Sequence, residues 1–272
     1  VLPGTGFVEL ARAAYAEDRP GKAIELNELE FITPFRREAG QSARLEITLK
    51  PAGDANIFTM RAGGQNGQDI VTGRAREYAA ARPERVDIDA ISARCGLQEE
   101  TTRDRKLAQS FMAFGPRWAN IERTRYGANE ALVELRLDPA FAGDLADYIL
   151  HPAMLDMATG GAQALIPGVD LSCDFFVPLG YASVRVFGAM PGHVFSHVRC
   201  SAEAGSSLAY FDVTLCDEDG NVFADISRFT MRRIEENAAF ASSPRVAPSL
   251  RSDTLNEALL DGIRSFEGLE AL

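Results

Sequence analysis

The sequence has 272 residues, 46% hydrophobic and 25% charged, enough apolar material for one large domain or two small ones. Its formal net charge of −11 repels phosphate backbones and argues against nucleic acid as a partner. No apolar run reaches the length of a membrane span, which argues against a membrane partner.

The chain opens at Val1 without a Met and without a basic-then-apolar leader, so it reads as part of something longer. Phe7, Leu10, Ala11 and Ala14 recur at helical spacing, Thr5 stands where an N-cap would, and Pro20-Gly21 ends the element. Strands are expected at 23–35, 43–49, 57–62 and 70–78, with a Gly-rich turn at 63–67. Residues 81–106 change character: a charged connector, a short helix from Asp89 to Leu97, then a charge run from Glu99 to Lys106 that reads as a solvated helix face or loop. A Gly115-Pro116 turn and the single Trp, Trp118, come next. Strands follow at 121–126 and 131–137, then a loop with a helical turn at 139–148.

The stretch from Tyr148 to Gln163 organises the rest. Pro152 suits the first turn of a helix, where a missing N–H costs nothing. Leu155, Ala158, Ala162 and Leu165 make an apolar stripe, which predicts a helix from Pro152 to about Leu165. Asp156 lies one residue off that stripe. It reads equally as an acid kept neutral by burial, able to donate a proton, or as a carboxylate favoured by the positive helix N-terminus. Further strands are expected at 175–177, 182–187, 194–200, 208–216 and 222–234, the last two joined by a turn at 217–221.

The four cysteines, Cys95, Cys173, Cys200 and Cys216, form no C-x-x-C pair and read as reduced structural thiols of a cytoplasmic protein. Cys200 and Cys216 can bond only if their strands pair. His193 and His197 share a strand face but lack a third ligand for zinc, so no metal is expected.

Each half therefore has a Pro-led apolar helix, Pro3 answering to Pro152, wrapped in antiparallel strands. That is the hotdog arrangement, and two of them give an α+β double hotdog with two sheets, each around its own long helix. The expected division is an N-terminal half at 1–83, a connector at 84–97, a C-terminal half at 98–235 and a linker with short helices at 236–272.

Three stretches carry a family resemblance. Val1 to Leu10 resembles the end of an H-x-x-x-G-x-x-x-x-P motif and the helix after it. Phe114-Gly-Pro-Arg-Trp118 resembles the end of Y-G-Y-x-x-G-P-x-F, and Leu150-His-Pro-Ala-Met-Leu-Asp156 resembles L-H-P-A-L-L-D. Phe176 to Leu179 and Phe229 to Arg233 fit later strands. Over residues 1 to about 235 the chain resembles the dehydratase domain of modular polyketide synthases, related to the animal fatty acid synthase dehydratase. The resemblance implies that a histidine removes the α-proton of a 3-hydroxyacyl thioester while the aspartate protonates the leaving hydroxyl, giving the trans-2-enoyl thioester. It implies a substrate on the phosphopantetheine arm of an acyl carrier protein and no metal or cofactor of the domain's own. It also implies ketosynthase, acyltransferase and ketoreductase neighbours and a homodimer.

By the same resemblance Asp156 is the proton donor. Leu2, Pro3, Gly4, Phe114, Gly115, Pro116, Trp118, His151, Pro152, Gly160 and Gln163 are the expected substrate-binding positions, with core packing an equal reading for Phe114 and Trp118. The sequence departs from the pattern in three places. The motif histidine falls nine positions before Pro3, upstream of Val1; Gly160 replaces a Gln or His, with Gln163 one turn on; and Met112 replaces a motif tyrosine. His151 is not the motif base and reads as a buried, hydrogen-bonded histidine. These departures leave two alternatives: a catalytically silent pseudo-dehydratase with a structural role, or a hotdog double-bond isomerase or thioesterase.

Overall fold

The computed structural model describes residues 2–17, 19–35, 43–63, 67–100, 108–109, 112–171, 174–203 and 205–234. The expected linker helices after 235, Cys173, the side chain of Met112 and most of the charge run before Lys106 lie outside the described residues.

Helix α1 (Gly4–Ala16) is followed by β1 (Ile24–Phe31), β2 (Leu45–Ala52), β3 (Ala55–Ala62) and β4 (Gln68–Glu77). A short α2 (Ile88–Arg94) leads to β5 (Leu97–Glu100), the small pair β6 (Ala108–Gln109) and β7 (Met112–Ala113), then β8 (Ile121–Tyr126) and β9 (Glu130–Arg136). Helix α3 (Pro152–Gly160) precedes β10 (Phe175–Val186), β11 (His193–Ser201), β12 (Leu208–Cys216) and β13 (Val222–Ile234).

The double hotdog holds, with one refinement. The strands of both halves form a single 11-stranded antiparallel sheet in the order β2-β3-β4-β1-β10-β13-β12-β11-β9-β8-β5. The seam is β1 against β10, from Ile24 opposite Val186 to Glu30 opposite Gly180. Helix α1 packs on β1, β2 and β4, α3 packs on β9, β11 and β12, and the two helices pack on each other. One apolar cluster runs through both halves, including Phe58 and Met60 of β3, Leu26 of β1, Met154 and Leu155 of α3 and Phe211 of β12. Burying each such side chain contributes roughly 1.5–3 kcal/mol.

Strand alternation decides which side chains face α3. On β11, Val194, Ser196 and Val198 point inward, and the Ser196 hydroxyl donates to the Ala158 carbonyl at 2.7 Å. His193, Phe195 and His197 alternate with them and face outward, where Phe195 packs on Ile91, Cys95 and Leu132 beneath α2.

Several local expectations are corrected. Thr5 does not cap α1: Pro3 holds that position, and Thr5 Oγ1 donates 2.9 Å across to the Pro152 carbonyl. The central helix ends at Gly160 rather than Leu165, which sits in a separate 3-10 turn at Gln163–Leu165. Gly161 carries no Cβ because one would collide with the Met157 carbonyl and the Ile121 side chain. Residues 175–186 form one continuous strand, irregular between Pro178 and Gly180. The expected helix at Asp89–Leu97 ends at Arg94, and Leu97–Glu100, which takes in the first two residues of the charge run, pairs with β8 as an edge strand. Cys200 stands opposite Phe211 and Cys216 opposite Phe195, so the register keeps them apart as free thiols.

Two buried carboxylates tie the halves together. Glu9 of α1 accepts from Arg12 Nε and Nη2, each at 2.7 Å, and from the backbone N–H groups of Ile149 (3.0 Å) and Leu150 (3.1 Å) just before α3. Glu25 of β1 accepts from Arg76 Nη2 (2.6 Å) on β4 and from Ser183 (2.8 Å) and Arg185 (2.7 Å) on β10. Desolvation pushes the Glu25 carboxyl up, but these donors outweigh it and hold its pKa at about 2.

Glu9→Ala leaves two backbone donors and a buried guanidinium without their acceptor, and urea unfolding is expected to show a loss of about 3–5 kcal/mol. Glu25 has a folded pKa below its unfolded value of 4.5, so its stabilisation is complete above that pH and lost as pH falls toward 2. Urea midpoints measured from pH 5 down to 2.5 should therefore fall, and Glu25→Gln should flatten that slope while lowering the midpoint at neutral pH. An acid slope unchanged by Glu25→Gln would contradict the assignment.

Candidate active site

Two short elements meet at Asp156. Gly115 precedes a 3-10 turn at Pro116–Trp118, with Pro116 at its first position. The turn delivers the buried indole of Trp118, whose Nε1–H donates to Asp156 Oδ2 at 2.8 Å. Phe114 packs beside it, ring centroids 6.3 Å apart. The Asn120 amide clamps the two elements, donating 2.8 Å to the Arg117 carbonyl and 3.2 Å to the Ala153 carbonyl.

The start of α3 is held by His151. Its Nδ1 accepts from the Met154 N–H at 3.3 Å, which leaves Nε2 to donate to Asp144 Oδ2 at 3.2 Å. Asp144 also accepts from Arg117 Nε at 2.6 Å. Burial lowers the His151 pKa, so the imidazole is neutral. Desolvation raises Asp144, but the hydrogen bonds from Arg117 and His151 prevail and hold it below the usual carboxylate value. His151 is 1% exposed with both ring nitrogens engaged, so it serves as a helix cap rather than a lining residue.

Asp156 retains partial accessibility at residue level, yet its carboxyl is desolvated. Burial pushes its pKa up to about 6, and the Trp118 hydrogen bond only partly opposes this. Helix position alone would lower the value, so desolvation decides between the two sequence readings. A carboxyl poised there can donate a proton near neutral pH.

Of the other expected positions, Pro152 is joined to Thr5 of α1, Gly4 is the first residue of that helix, Pro3 is its N-cap, and Leu2 precedes it. Gly4 lies against the Phe31 ring, which meets Tyr181 edge-on at 5.9 Å. Gln163 sits in the turn after α3, with its amide nitrogen near Gly160. Sequence reasoning missed Asn120, Thr159 and Tyr181. Thr159 follows Asp156 by three residues and donates to the Leu155 carbonyl at 2.9 Å, and Tyr181 on β10 lies where the Asp156 charge raises its pKa. Nothing in the local pattern around Tyr181 separates it from the apolar residues of its strand.

The two remaining histidines lie elsewhere. His197 pairs with Glu130 at 2.7 Å beside Arg94 and Arg199. His193 gathers the two carboxylates that the sequence did not reveal as ligands, Glu122 and Glu134. Guanidinium groups already serve these acids: Arg136 lies 3.1 Å from Glu122, and Arg123 lies 3.8 Å from Glu134. That arrangement is a poor receptor for a cation. No described helix is long and apolar enough to cross a membrane.

Comparison with known proteins places this geometry. Residues 84–241, more than half of the chain, match the family described as polyketide synthase dehydratase N-terminal domain, and residues 1–61 match polyketide synthase dehydratase domain. The polyketide synthase PksN of Bacillus subtilis is 28% identical over 96% of this chain. GfsB of Streptomyces halstedii is 30% identical over 86%. The chain spans only 5% and 4% of those two relatives. A trans-AT dehydratase domain from Brevibacillus brevis superposes with a TM-score of 0.75 at 23% identity, over 86% of each chain. The dehydratase domain from the CurJ module of the curacin synthase gives 0.77 at 18% identity, over 88% of this chain and 85% of that one.

The Trp118 hydrogen bond lowers the Asp156 pKa, so Trp118→Phe is expected to raise it above about 6. Carboxyl carbon shifts followed by NMR across pH would measure this. Asp156 binds its proton more tightly folded than unfolded, so stability should decline as pH rises from about 4 through 6. Asp156→Asn should remove that decline, and an Asp156 titrating at the ordinary value would refute the desolvation account.

Proposed function

Because the chain belongs to the polyketide synthase dehydratase family, we propose that it removes water from a 3-hydroxyacyl thioester carried on the phosphopantetheine of an acyl carrier protein. The product is the trans-2-enoyl thioester. The observation that carries this reading is Asp156, a desolvated carboxyl with a pKa of about 6, oriented by the Trp118 indole. As the neutral acid it protonates the 3-hydroxyl, which departs as water. The α-proton goes to a base, and none of the chain's own histidines suits that role: His151 caps α3, and His193 and His197 face away from it. The base in this reading is the family histidine nine positions before Pro3.

The neighbours support the pairing of roles. Solved dehydratases of this fold include inactive mutants of CurK, one with phenylalanine in place of a histidine and one with asparagine in place of an aspartate. Leu2, Pro3 and Gly4 lead from the upstream segment to the acyl site, with Phe114 and Trp118 beside the acid. The partners are the acyl carrier protein and the neighbouring synthase domains, ketosynthase, acyltransferase and ketoreductase, in a homodimeric assembly. The domain supplies no cofactor. The cytoplasm is its compartment, in keeping with thiols at Cys200 and Cys216 that burial pushes up to about 11 and 12 and so keeps inert.

A positioned general base contributes about 10² to 10⁴-fold. The 272-residue chain is therefore expected to leave a carrier-bound 3-hydroxyacyl substrate unchanged, as followed by mass spectrometry. A longer chain that includes the upstream histidine is expected to turn it over, and Asp156→Asn in that chain should lower turnover at least about 10²-fold. Rapid dehydration by the short chain would mean the base is misassigned. An inactive longer chain with its histidine in place would favour a silent, architectural domain.

A further inference from the structure

The sheet is most irregular around Tyr181. This residue stands on β10 opposite Leu29 of β1 and Phe229 of β13. Three strands depart from register beside that row: β1 between Asn27 and Glu30, β10 between Pro178 and Gly180, and β13 against the Phe211–Val213 step of β12. Among the described residues, Glu28 at 50° and Arg228 at 51° are the non-glycine positions with positive φ, and each immediately precedes a residue flanking Tyr181. Gly180 adds a close approach, since a Cβ there would collide with the Leu29 carbonyl. Bulges re-aim side chains, and backbone strain in a folded protein persists only where the surroundings enforce it.

What these irregularities aim is a phenol. The Tyr181 ring stacks on Phe229 at 4.7 Å and meets Phe31 edge-on at 5.9 Å. Phe31 in turn covers Gly4 at the start of α1. The phenol feels the Asp156 charge and the Thr159 hydroxyl, and Thr159, whose own hydroxyl donates to the Leu155 carbonyl at 2.9 Å, follows Asp156 by one turn on the same face of α3. Tyr181 thus bridges the space between the segment arriving from upstream and the acid. Ring packing alone would be served equally by phenylalanine, and a buried hydroxyl needs a polar reason. Burial and the Asp156 charge both raise its pKa, so the phenol remains a hydrogen-bond donor.

We propose that the Tyr181 hydroxyl is a substrate contact, donating a hydrogen bond to the 3-hydroxyl oxygen of the acyl chain and presenting that oxygen to Asp156. The assignment rests on the dehydratase reading. In the elimination, the Asp156 proton passes to the 3-hydroxyl oxygen, and the C3–O bond breaks with its electron pair leaving on water. The α C–H electrons form the new double bond as the base takes that proton. Tyr181 keeps its own proton throughout.

Binding to the 272-residue chain tests this without the upstream base. Titration calorimetry would compare 3-hydroxybutyryl-pantetheine with butyryl-pantetheine. One hydrogen bond predicts a preference of about three- to tenfold for the hydroxylated thioester. Tyr181→Phe should erase that preference and leave butyryl affinity unchanged. A second measurement on the unaltered protein is an intermolecular NOE from the Tyr181 ring to the C3 proton of the bound hydroxybutyryl group, which holds even if the variant folds poorly. A Tyr181→Phe protein that keeps the preference, an unaltered protein with none, or a missing NOE would overturn the Tyr181 contact and leave the dehydratase reading standing. Failure of both thioesters to bind the unaltered protein would overturn both.

Discussion

A single buried carboxylate couples the two helices. Glu9, on the fourth position after Thr5, accepts two hydrogen bonds from Arg12 and two from the backbone entering α3. Without it, Ile149 and Leu150 would present orphan N–H groups inside an apolar cluster, at a cost comparable to losing the bonds themselves. With it, the residues that follow have a defined starting point. His151 caps the helix, Pro152 receives the Thr5 hydroxyl, and Asp156 emerges one turn later at a set angle. The placement of Asp156 therefore depends on a contact that does not touch its side chain.

The wiring around Asp156 divides charge from neutrality. Arg117, Asp144 and His151 form a chain in which the charges compensate one another, and the imidazole stays neutral. Among the described residues Asp156 has no such cation as a partner and receives the indole N–H. Two carboxylates on either side of the same 3-10 turn thus titrate in opposite directions. Asp144 is held ionised by a guanidinium, and Asp156 keeps its proton up to about pH 6 for want of water. Asn120 keeps the turn and the helix at a fixed spacing, so this contrast does not depend on surface loops.

The sequence was most informative where periodicity met a terminator. Phe7, Leu10 and Ala11 marked α1, the Asp217 to Asn221 turn marked the β12–β13 hairpin, and the L-H-P-A-M-L-D run singled out Asp156, whose carboxyl is desolvated. It was least informative where a partner lies far along the chain. The Thr5 hydroxyl looked like a cap because its acceptor, at Pro152, is 147 residues away. The helix was drawn too long because the apolar stripe continues past Gly160-Gly161, although the backbone does not. The bulges at Glu28 and Arg228 carry no glycine to announce them. Tyr181 acquires meaning only once β10 lies between β1 and β13. The pairing of β1 with β10, which merges two sheets into one, has no local signature at all.

That seam also bears on how the polypeptide is made. β1 is complete after residue 31, yet the strand that covers its second edge begins at residue 175. On a ribosome, some 140 residues are synthesised while β1 offers an open row of N–H and C=O groups. The first half is in that sense an unfinished sheet rather than a small independent domain. Its register is sealed last, by contacts of high sequence separation that form slowly. Until that strand arrives, this edge is a natural place for a nascent chain to pair with the wrong neighbour.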